Sequence, residues 1–330
     1  MKSSGETRVG AWLRKIPFVR RPFYQADLAR RERSDALLSL EAVAKERDGL
    51  RRALDAVSGI HGASPAKTAE PARAMPAGPR RVCVFCDREV DEWRPFHIRA
   101  ADISDFLIRV DTVGSNVERF LCPHCSSIDR ERHLRLFLER LHILDGMRGG
   151  AVLHMAPEAR LPEYIQRFDP GLYIRGDLVP SDDTIQLVDL HRIPFPDGTF
   201  DLIICNHVLE HVRDAVVSVK EMYRVLKPGG RAICQTPFAR RLTSTLEEPQ
   251  LQSASDRRFF YGQEDHVRLF GSDIEQLFRG AGFAGRLVPH EEILPDVDPE
   301  LLGVNEAEPF FDFVRPDEPF RAFAPAGTAG

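Results

Sequence analysis

The stretch TIQLVDLHRIPFPDGTFDLIICNHVLEHV, residues 184–212, decides the fold of this chain. Within it, residues 200–205 form an almost wholly apolar run after a Pro-Asp-Gly turn, which is typical of a parallel strand covered on both faces. Four polar residues follow this strand closely: Asn206, His207, Glu210 and His211. Because ligands of open α/β sheets bind at the carboxyl ends of the strands, the stretch predicts a central strand with a functional site at its end.

Two segments resemble a known family. Residues 189–212, DLHRIPFPDGTFDLIICNHVLEHV, and residues 221–230, EMYRVLKPGG, are similar to the class I S-adenosylmethionine-dependent methyltransferases in their order of acidic loop, turn, fourth strand and helix. The resemblance covers roughly the second half of the chain. It implies an α/β fold, a Rossmann-like three-layer methyltransferase fold with a mainly parallel seven-stranded sheet. It also implies S-adenosylmethionine as the cofactor, and it leaves the methyl acceptor open.

The flanking sequence predicts the other elements of this fold. Strands are predicted at 151–155, 172–175, 231–235, 283–288 and 310–314, with the last two paired antiparallel, and helices at 132–144 and 215–226. Residues 236–260 are long, polar and irregular, which is typical of an insertion that binds the acceptor. Ser272 and Glu275 form the pattern of a capping box and predict the start of the next helix.

The resemblance implies cofactor-binding residues at the strand ends. Those expected there are Asp177, Leu178, Asp189, Leu190, Asn206 and His207. Asp177 follows the predicted second strand, where a carboxylate accepts hydrogen bonds from both ribose hydroxyls. Asp189 and Leu190 follow the third strand, where the family binds the adenine through an acidic side chain and adjacent backbone.

The loop after the first strand departs from the family pattern. His154 stands at the usual acidic position, and APEAR, residues 156–160, replaces the glycine-rich turn. In one interpretation the cofactor site has decayed and the domain is a scaffold. In the other, Glu158 faces the ammonium of the cofactor, while Arg160 or a helix amide near Pro162 faces its carboxylate. Because the later motifs are intact, we favour the variant site.

Two Cys-x-x-Cys pairs, separated by 35 residues, form the strongest local signal. They are Cys83 with Cys86 and Cys122 with Cys125. Four thiolates satisfy the tetrahedral preference of zinc, so we predict a structural Zn²⁺ in a zinc-ribbon-like knuckle module over residues 80–130. A redox dithiol usually needs one pair, and disulfides are not expected without a secretion signal. The APE turn together with these pairs resembles a bacterial methyltransferase subgroup with an N-terminal Cys-x-x-Cys zinc knuckle.

The segments before the cysteines predict assembly rather than chemistry. Residues 1–24 form a basic tail that is either mobile or in weak contact with an anionic membrane surface. Residues 25–57 hold apolar residues in a heptad register, which predicts a helix that self-associates as a coiled coil or leans on its own protein. The other predicted segments are a flexible linker over 58–79, the methyltransferase domain over 131–316 and a tail over 317–330.

Composition restricts the partners. The formal net charge is -5, and residues 80–130 hold eight arginines against nine acidic residues, so no stable nucleic-acid complex is expected. No apolar run reaches the roughly 18 residues of a spanning helix, and no apolar segment follows the N-terminal charges as in a signal peptide. We therefore expect a cytoplasmic protein.

The predicted activity is methylation of a hydroxyl group. By analogy of layout, the expected acceptor is a sugar of a bacterial surface glycan or a glycosylated metabolite. The alternatives are a ribosomal RNA base methyltransferase and a catalytically inactive scaffold. A hydroxyl acceptor needs a proton acceptor, and the candidates are His266, near the end of the acceptor segment, and His211, after the fourth strand. We favour His266, because its segment should vary with the acceptor.

Overall fold

The structure is a computed structural model of the chain, and it describes residues 80–96 and 103–317. The predictions for the basic tail, the heptad helix and the linker therefore lie outside the described residues. The predicted C-terminal tail does so as well, apart from its first residue. Among the described residues, no helix has both the length and the apolar character needed to cross a membrane.

Strands and helices alternate along most of the described chain. The strands are β1 (Thr112–Val113), β2 (Ala151–Met155), β3 (Leu172–Asp177), β4 (Gln186–Leu187), β5 (Phe200–Cys205), β6 (Leu226–Ile233), β7 (Phe238–Ala239), β8 (Ala284–Val288) and β9 (Phe310–Val314). The helices are α1 (Asp105–Arg109), α2 (Asp129–Arg140), α3 (Leu161–Gln166), α4 (Ala215–Val225), α5 (Ala254–Tyr261), α6 (Ile274–Ala281), α7 (His290–Ile293) and α8 (Pro299–Leu302). A short 3₁₀ turn, Asp145–Met147, follows α2.

The main sheet has seven strands in the order β4-β3-β2-β5-β6-β9-β8. The pairs from β4 to β6 are parallel, whereas β9 pairs antiparallel with both β6 and β8. The prediction of a mainly parallel seven-stranded sheet with an antiparallel final pair is thus confirmed. A separate antiparallel pair joins β1 to β7, which lies in the segment of residues 236–260.

Two apolar clusters on opposite sides of the sheet give the fold its three layers. Successive side chains of a strand point to opposite faces, and β5 shows this clearly. Ile203 belongs to the cluster that contains Val219 of α4, whereas Leu202 belongs to the cluster that contains Phe137 of α2. All four side chains are fully buried, so β5 is the covered central strand that its apolar run predicted.

Several predicted boundaries move by a few residues. Helix α2 runs over Asp129–Arg140 rather than 132–144, because His142 has a φ of 51° and leaves the helical region soon after its end. Strand β6 begins at Leu226 rather than at residue 231. Its Lys-Pro-Gly-Gly segment lies within the strand as an irregularity in the pairing with β5, and Gly229 takes a φ of 75° there.

The predicted capping box of Ser272 and Glu275 is wrong. Helix α6 has Asp273 at its N-cap, and no side-chain cap hydrogen bond forms there. Glu275 instead uses its carboxylate in the tertiary structure, where it accepts a hydrogen bond at 3.0 Å from the backbone N–H of Leu287. Its other oxygen pairs with Arg279 at 2.6 Å, so neither oxygen is left to serve the helix start.

The cysteine-containing segment packs directly on the methyltransferase-like core. Trp93 is 3% exposed, and its indole N–H donates to the carbonyl of Glu300 at 3.0 Å. The guanidinium of Arg132, on α2, lies 4.2 Å from the centre of the Trp93 ring. At Gly303, φ is 62° and a Cβ would lie 2.4 Å from the same ring, so glycine is required at this close approach.

Candidate active site

The acidic residues expected to bind the cofactor lie at one edge of the sheet. Asp177 is the last residue of β3, and its Oδ1 accepts a hydrogen bond from the N–H of Val179 at 2.8 Å. Asp189 follows the neighbouring parallel strand β4, and its Oδ1 accepts from the N–H of His191 at 2.9 Å. Leu178 is half-exposed and Leu190 is buried. Their roles in binding stay predictions.

A loop cluster of four side chains stands where the glycine-rich turn was expected: His154, Glu158, Tyr173 and Asn206. His154 Nε2 lies 2.7 Å from Glu158 Oε2, and its Nδ1 lies 2.9 Å from the hydroxyl of Tyr173. Asn206 Nδ2 donates to the other Glu158 oxygen at 3.4 Å. Ala156 has a φ of 45°, a backbone conformation more often supplied by glycine. His154 therefore replaces the usual acidic residue by anchoring an acid from the following loop.

Glu158 is a buried acid at the end of the central strands. Burial disfavours its charged form, but the hydrogen bond and the charge of His154 hold the pKa of this carboxyl below its usual value. The loop cluster thus keeps the carboxylate of Glu158 ionised inside the edge where β2 and β5 end. A buried carboxylate of this kind is suited to an ammonium group.

The predicted contact of Arg160 or a helix amide with the cofactor's carboxylate is not supported by the structure. Glu131 Oε1 already accepts hydrogen bonds from the N–H groups of Arg160 and Leu161, at the start of α3. The Arg160 side chain turns toward the cysteines and donates from Nε to the carbonyl of Cys125 at 2.7 Å. An acidic side chain of the protein therefore occupies the helix start that an anionic ligand would need.

The start of α2 adds polar groups that the sequence analysis missed. Five side chains in the described part of the chain carry a buried atom without a hydrogen-bond partner: Thr112 Oγ1, Asp129 Oδ1, Arg130 Nε, His133 Nδ1 and Glu308 Oε2. Asp129, Arg130 and Glu308 are near one another, because the charges of the other two affect the pKa of Asp129. Arg130 is near enough for its charge to affect the pKa of Glu158 and of His207. Unpartnered buried polar atoms are rare in proteins, so these groups fit a polar ligand such as the amino-acid end of S-adenosylmethionine. In the sequence, the charged run of residues 129–132 at a helix start gave no sign of burial.

Asp129 gives a test of what it costs to bury one of these polar groups. Burial and then the charge of Glu308 raise the pKa of Asp129 to about 6, from a usual value of 3.8. The raised pKa therefore leaves the free energy of unfolding unchanged below pH 3.8. It lowers that free energy progressively up to about pH 6, and by a constant amount at higher pH. We expect Asp129→Asn to be more stable than wild type at neutral pH by on the order of 3 kcal/mol.

Thermal unfolding of the cofactor-free protein between pH 4.5 and pH 8 measures this difference. The gap in Tm should open as the pH rises and level off above about pH 7. Asp183→Asn, which changes an exposed aspartate, is the matched control and should show no such gap. A gap that is independent of pH would contradict a raised pKa at Asp129.

The second group of site residues is a histidine cluster, formed by Glu210, His211 and His266. One ligand atom from each side chain lies within 4.8 Å of the others. The rings of His211 and His266 meet edge to face, with their centres 4.7 Å apart. Residues 211 and 266, predicted separately as catalytic candidates, are thus brought together. The His211 side chain is 33% exposed, whereas His266 is 3% exposed, so His211 is the more accessible of the two.

The charges around the cluster are strongly coupled. Glu210 is buried, and although burial opposes ionisation, the hydrogen bond and charge of His207 hold the pKa of Glu210 far below its usual value. Burial tends to lower the pKa of His211, but the hydrogen bond to Asp265 and the charge of Glu210 raise it. Burial lowers the pKa of His266. The pKa values of two neighbouring imidazoles are therefore shifted in opposite directions, which is common where acid-base chemistry occurs.

His207 joins the histidine cluster to the loop cluster. It follows β5 directly after Asn206, in the left-handed region with a φ of 53°. Its Nδ1 lies 3.5 Å from Glu210, and its Nε2 lies 3.2 Å from Glu308. Asn206 thus contacts the loop cluster, and His207 contacts the histidine cluster. The end of β5 therefore connects the expected cofactor side of the site with the expected acceptor side.

The four cysteines also come together. The Sγ atoms of Cys83, Cys86, Cys122 and Cys125 lie within 4.8 Å of one another. Cys83 and Cys125 are 3.6 Å apart, and Cys86 and Cys122 are 3.9 Å apart. Thiolates bound to one tetrahedral zinc ion at 2.3 Å would be about 3.8 Å apart, so the cluster fits a zinc ion.

Comparison with known proteins finds similarity in the central part of the sheet. A family model described as a methyltransferase domain matches residues 173–234. A ubiquinone/menaquinone biosynthesis C-methyltransferase of Desulfotalea psychrophila is 31% identical over 111 residues, which are 30% of this chain and 45% of that protein. An uncharacterized 37.1 kDa protein in a transposon of Streptomyces fradiae is 32% identical over 126 residues, covering 37% of this chain and 36% of that protein.

The chain spans less than half the length of these two relatives. Among solved structures, an S-adenosylmethionine dependent methyltransferase from Mesorhizobium loti is similar, with 16% sequence identity and a TM-score of 0.34. The match covers 53% of this chain and 94% of that structure. The family match ends at residue 234, before the segment of residues 236–260 and before His266.

Proposed function

We propose that this chain, which carries a methyltransferase domain, transfers the methyl group of S-adenosylmethionine to a hydroxyl of a small-molecule or glycan acceptor. The observation that carries the proposal is that the loop cluster and the histidine cluster both lie at the end of β5. The loop cluster and the strand-end acids Asp177 and Asp189 lie on one side, and the histidine cluster lies on the other. This edge is where ligands of open α/β sheets bind.

The residues at this edge match the groups of the cofactor. Asp177 would accept hydrogen bonds from the ribose hydroxyls, and Asp189 with the backbone of Leu190 would hold the adenine. Glu158 supplies a negative charge for the ammonium, and Arg130, with an unpartnered Nε, supplies a positive charge for the carboxylate. When bound, S-adenosylmethionine supplies an activated methyl group on a positively charged sulfur.

The histidine cluster acts on the acceptor. The hydroxyl oxygen forms the new bond to the methyl carbon, the carbon–sulfur bond breaks with its electron pair going to sulfur, and the hydroxyl proton must leave. His211 and His266 meet beside the end of β5, so either imidazole is placed to take that proton. Our sequence analysis favours His266, while the greater exposure of His211 and its pairing with Asp265 favour His211. Much of the rate would come from holding the two reactants in line.

The acceptor class is the finer part of the proposal. One relative is a ubiquinone/menaquinone biosynthesis C-methyltransferase, which supports a small-molecule acceptor for this chain. A hydroxyl, as on a sugar, is favoured by the histidine cluster, because a hydroxyl needs help to lose its proton. Salt-dependent binding of ribosomal RNA would support the base-methylating alternative instead, and failure to bind the cofactor would support a scaffold.

Asp177→Ala tests the cofactor side. Wild type should bind S-adenosylmethionine or its demethylated product in the micromolar range, roughly -8 kcal/mol. The variant should bind about 10- to 100-fold more weakly, because the ribose hydroxyls lose a charged acceptor worth about 1.5 to 3 kcal/mol. Titration calorimetry measures both, with Asp183→Ala as the matched control. Equal affinity in the Asp177 variant would show that the ribose lies elsewhere.

A further inference from the structure

The histidine cluster holds the ligand types that bind divalent transition metals, two imidazoles and one carboxylate. We propose that Glu210, His211 and His266 bind one divalent metal ion of the Zn²⁺, Mn²⁺ and Fe²⁺ class, and that this ion holds the acceptor hydroxyl. This inference rests on the proposed function, because it assigns the chemistry of the same site.

The hydrogen bonds of both histidines orient a lone pair into the cluster. His266 Nδ1 lies 2.8 Å from the carbonyl oxygen of Tyr261. A carbonyl only accepts, so Nδ1 carries the proton and Nε2 carries the lone pair. His211 Nδ1 lies 3.3 Å from the carboxylate of Asp265, which leaves its Nε2 toward Glu210. Histidines that bind metals commonly donate their outer N–H to a carbonyl or carboxylate in this way.

The carboxylate is held in a similar manner. Glu210 is 1% exposed, and its Oε2 accepts a hydrogen bond from the hydroxyl of Thr236 at 2.7 Å. Its Oε1 lies 3.9 Å from His211 Nε2 and 3.5 Å from His207 Nδ1. One oxygen is therefore fixed by Thr236, while the other faces the histidines.

The spacing is that of a site that closes slightly around one ion. Ligand atoms about 2.1 Å from a common tetrahedral ion lie about 3.4 Å apart. The Glu210–His211 distance of 3.9 Å needs a closure of about 0.5 Å, and the outer limit of 4.8 Å for the cluster requires a closure of at most about 1.4 Å, which side-chain rotation can supply. Three protein ligands leave open coordination positions, as in catalytic metal sites.

A metal at this position changes how the acceptor is activated. The acceptor oxygen would displace water from an open position, and coordination would lower the pKa of its hydroxyl. The O–H bond then breaks, the proton passes to solvent water, and the oxygen stays on the metal with the electron pair needed for methyl transfer. In this form His211 and His266 are ligands rather than proton acceptors.

Metal content distinguishes this site from the cysteine site. The full-length protein, purified without chelator, is dialysed against Zn²⁺ and passed over a desalting column before elemental analysis. Wild type should hold about two zinc ions per chain, and His211→Ala and Glu210→Gln about one each. The control His142→Ala, which changes an exposed histidine, should hold about two. Wild type with one ion, retained in Glu210→Gln, would overturn the proposal.

Two further measurements separate this inference from the proposed function. Calorimetric affinity for S-adenosylmethionine tests the proposed function alone, and it should be unchanged in Glu210→Gln. Turnover of wild type after removal of the more weakly held ion should fall at least tenfold, and added Zn²⁺ or Mn²⁺ should restore it. If turnover stays at its starting value while metal analysis shows that ion gone, the assigned role in activation is wrong.

Discussion

The variants His211→Ala and His266→Ala should each lose on the order of 100-fold or more in methyl-transfer turnover. Both rings belong to the cluster that acts on the acceptor hydroxyl, and their centres are 4.7 Å apart. The loss is expected whether the imidazole takes the proton or binds a metal, because each role is lost with the ring. Turnover is measured with a hydroxyl acceptor and labelled S-adenosylmethionine.

The same variants should keep their affinity for the cofactor, because the acids assigned to it lie on the other side of the end of β5. His142→Ala serves as the control for removal of an imidazole, since His142 is exposed and remote from the cluster in sequence. Near-normal turnover in both cluster variants would show that the reaction needs neither histidine and that proximity of the reactants suffices.

Cys122→Ser should produce the largest loss of stability. Closed zinc sites contribute folding free energy directly, and each kcal/mol lost lowers Tm by about 2 to 4 °C in a domain of this size. The cysteine segment should unfold before the core. The effect should then reach α2 and the start of α3, because Trp93 packs against Arg132 of α2 and the carbonyl of Cys125 accepts from Arg160, directly before α3.

Metal analysis and thermal unfolding should be run together for this variant. Cys234→Ser is the matched control, because Cys234 is buried in the apolar core and lies outside the cluster of four cysteines. It should keep the zinc of the wild type. Wild-type protein that contains no zinc, although purified without chelator, would remove the claim of a structural zinc site.

The sequence alone determined the central features of the fold. The apolar run of β5 predicts the strand because a strand covered on both faces consists mostly of apolar side chains. The turn before it and the polar residues after it predicted a site at the end of this strand, where the structure brings the loop cluster and the histidine cluster together. Two Cys-x-x-Cys pairs also predict that the four thiols lie close together, because this spacing is typical of a shared zinc site.

Only the tertiary structure decided which polar groups work together. Arg130 and Glu308 are 178 residues apart, and no local pattern shows that both carry unpartnered buried atoms. Glu131 takes the helix start that we had assigned to the cofactor's carboxylate, because two chain segments remote in sequence pack there. Glu275 likewise bonds to Leu287 rather than capping its own helix. Hydrophobic periodicity is local and therefore visible in sequence, whereas the partner of a buried charge is set by long-range packing.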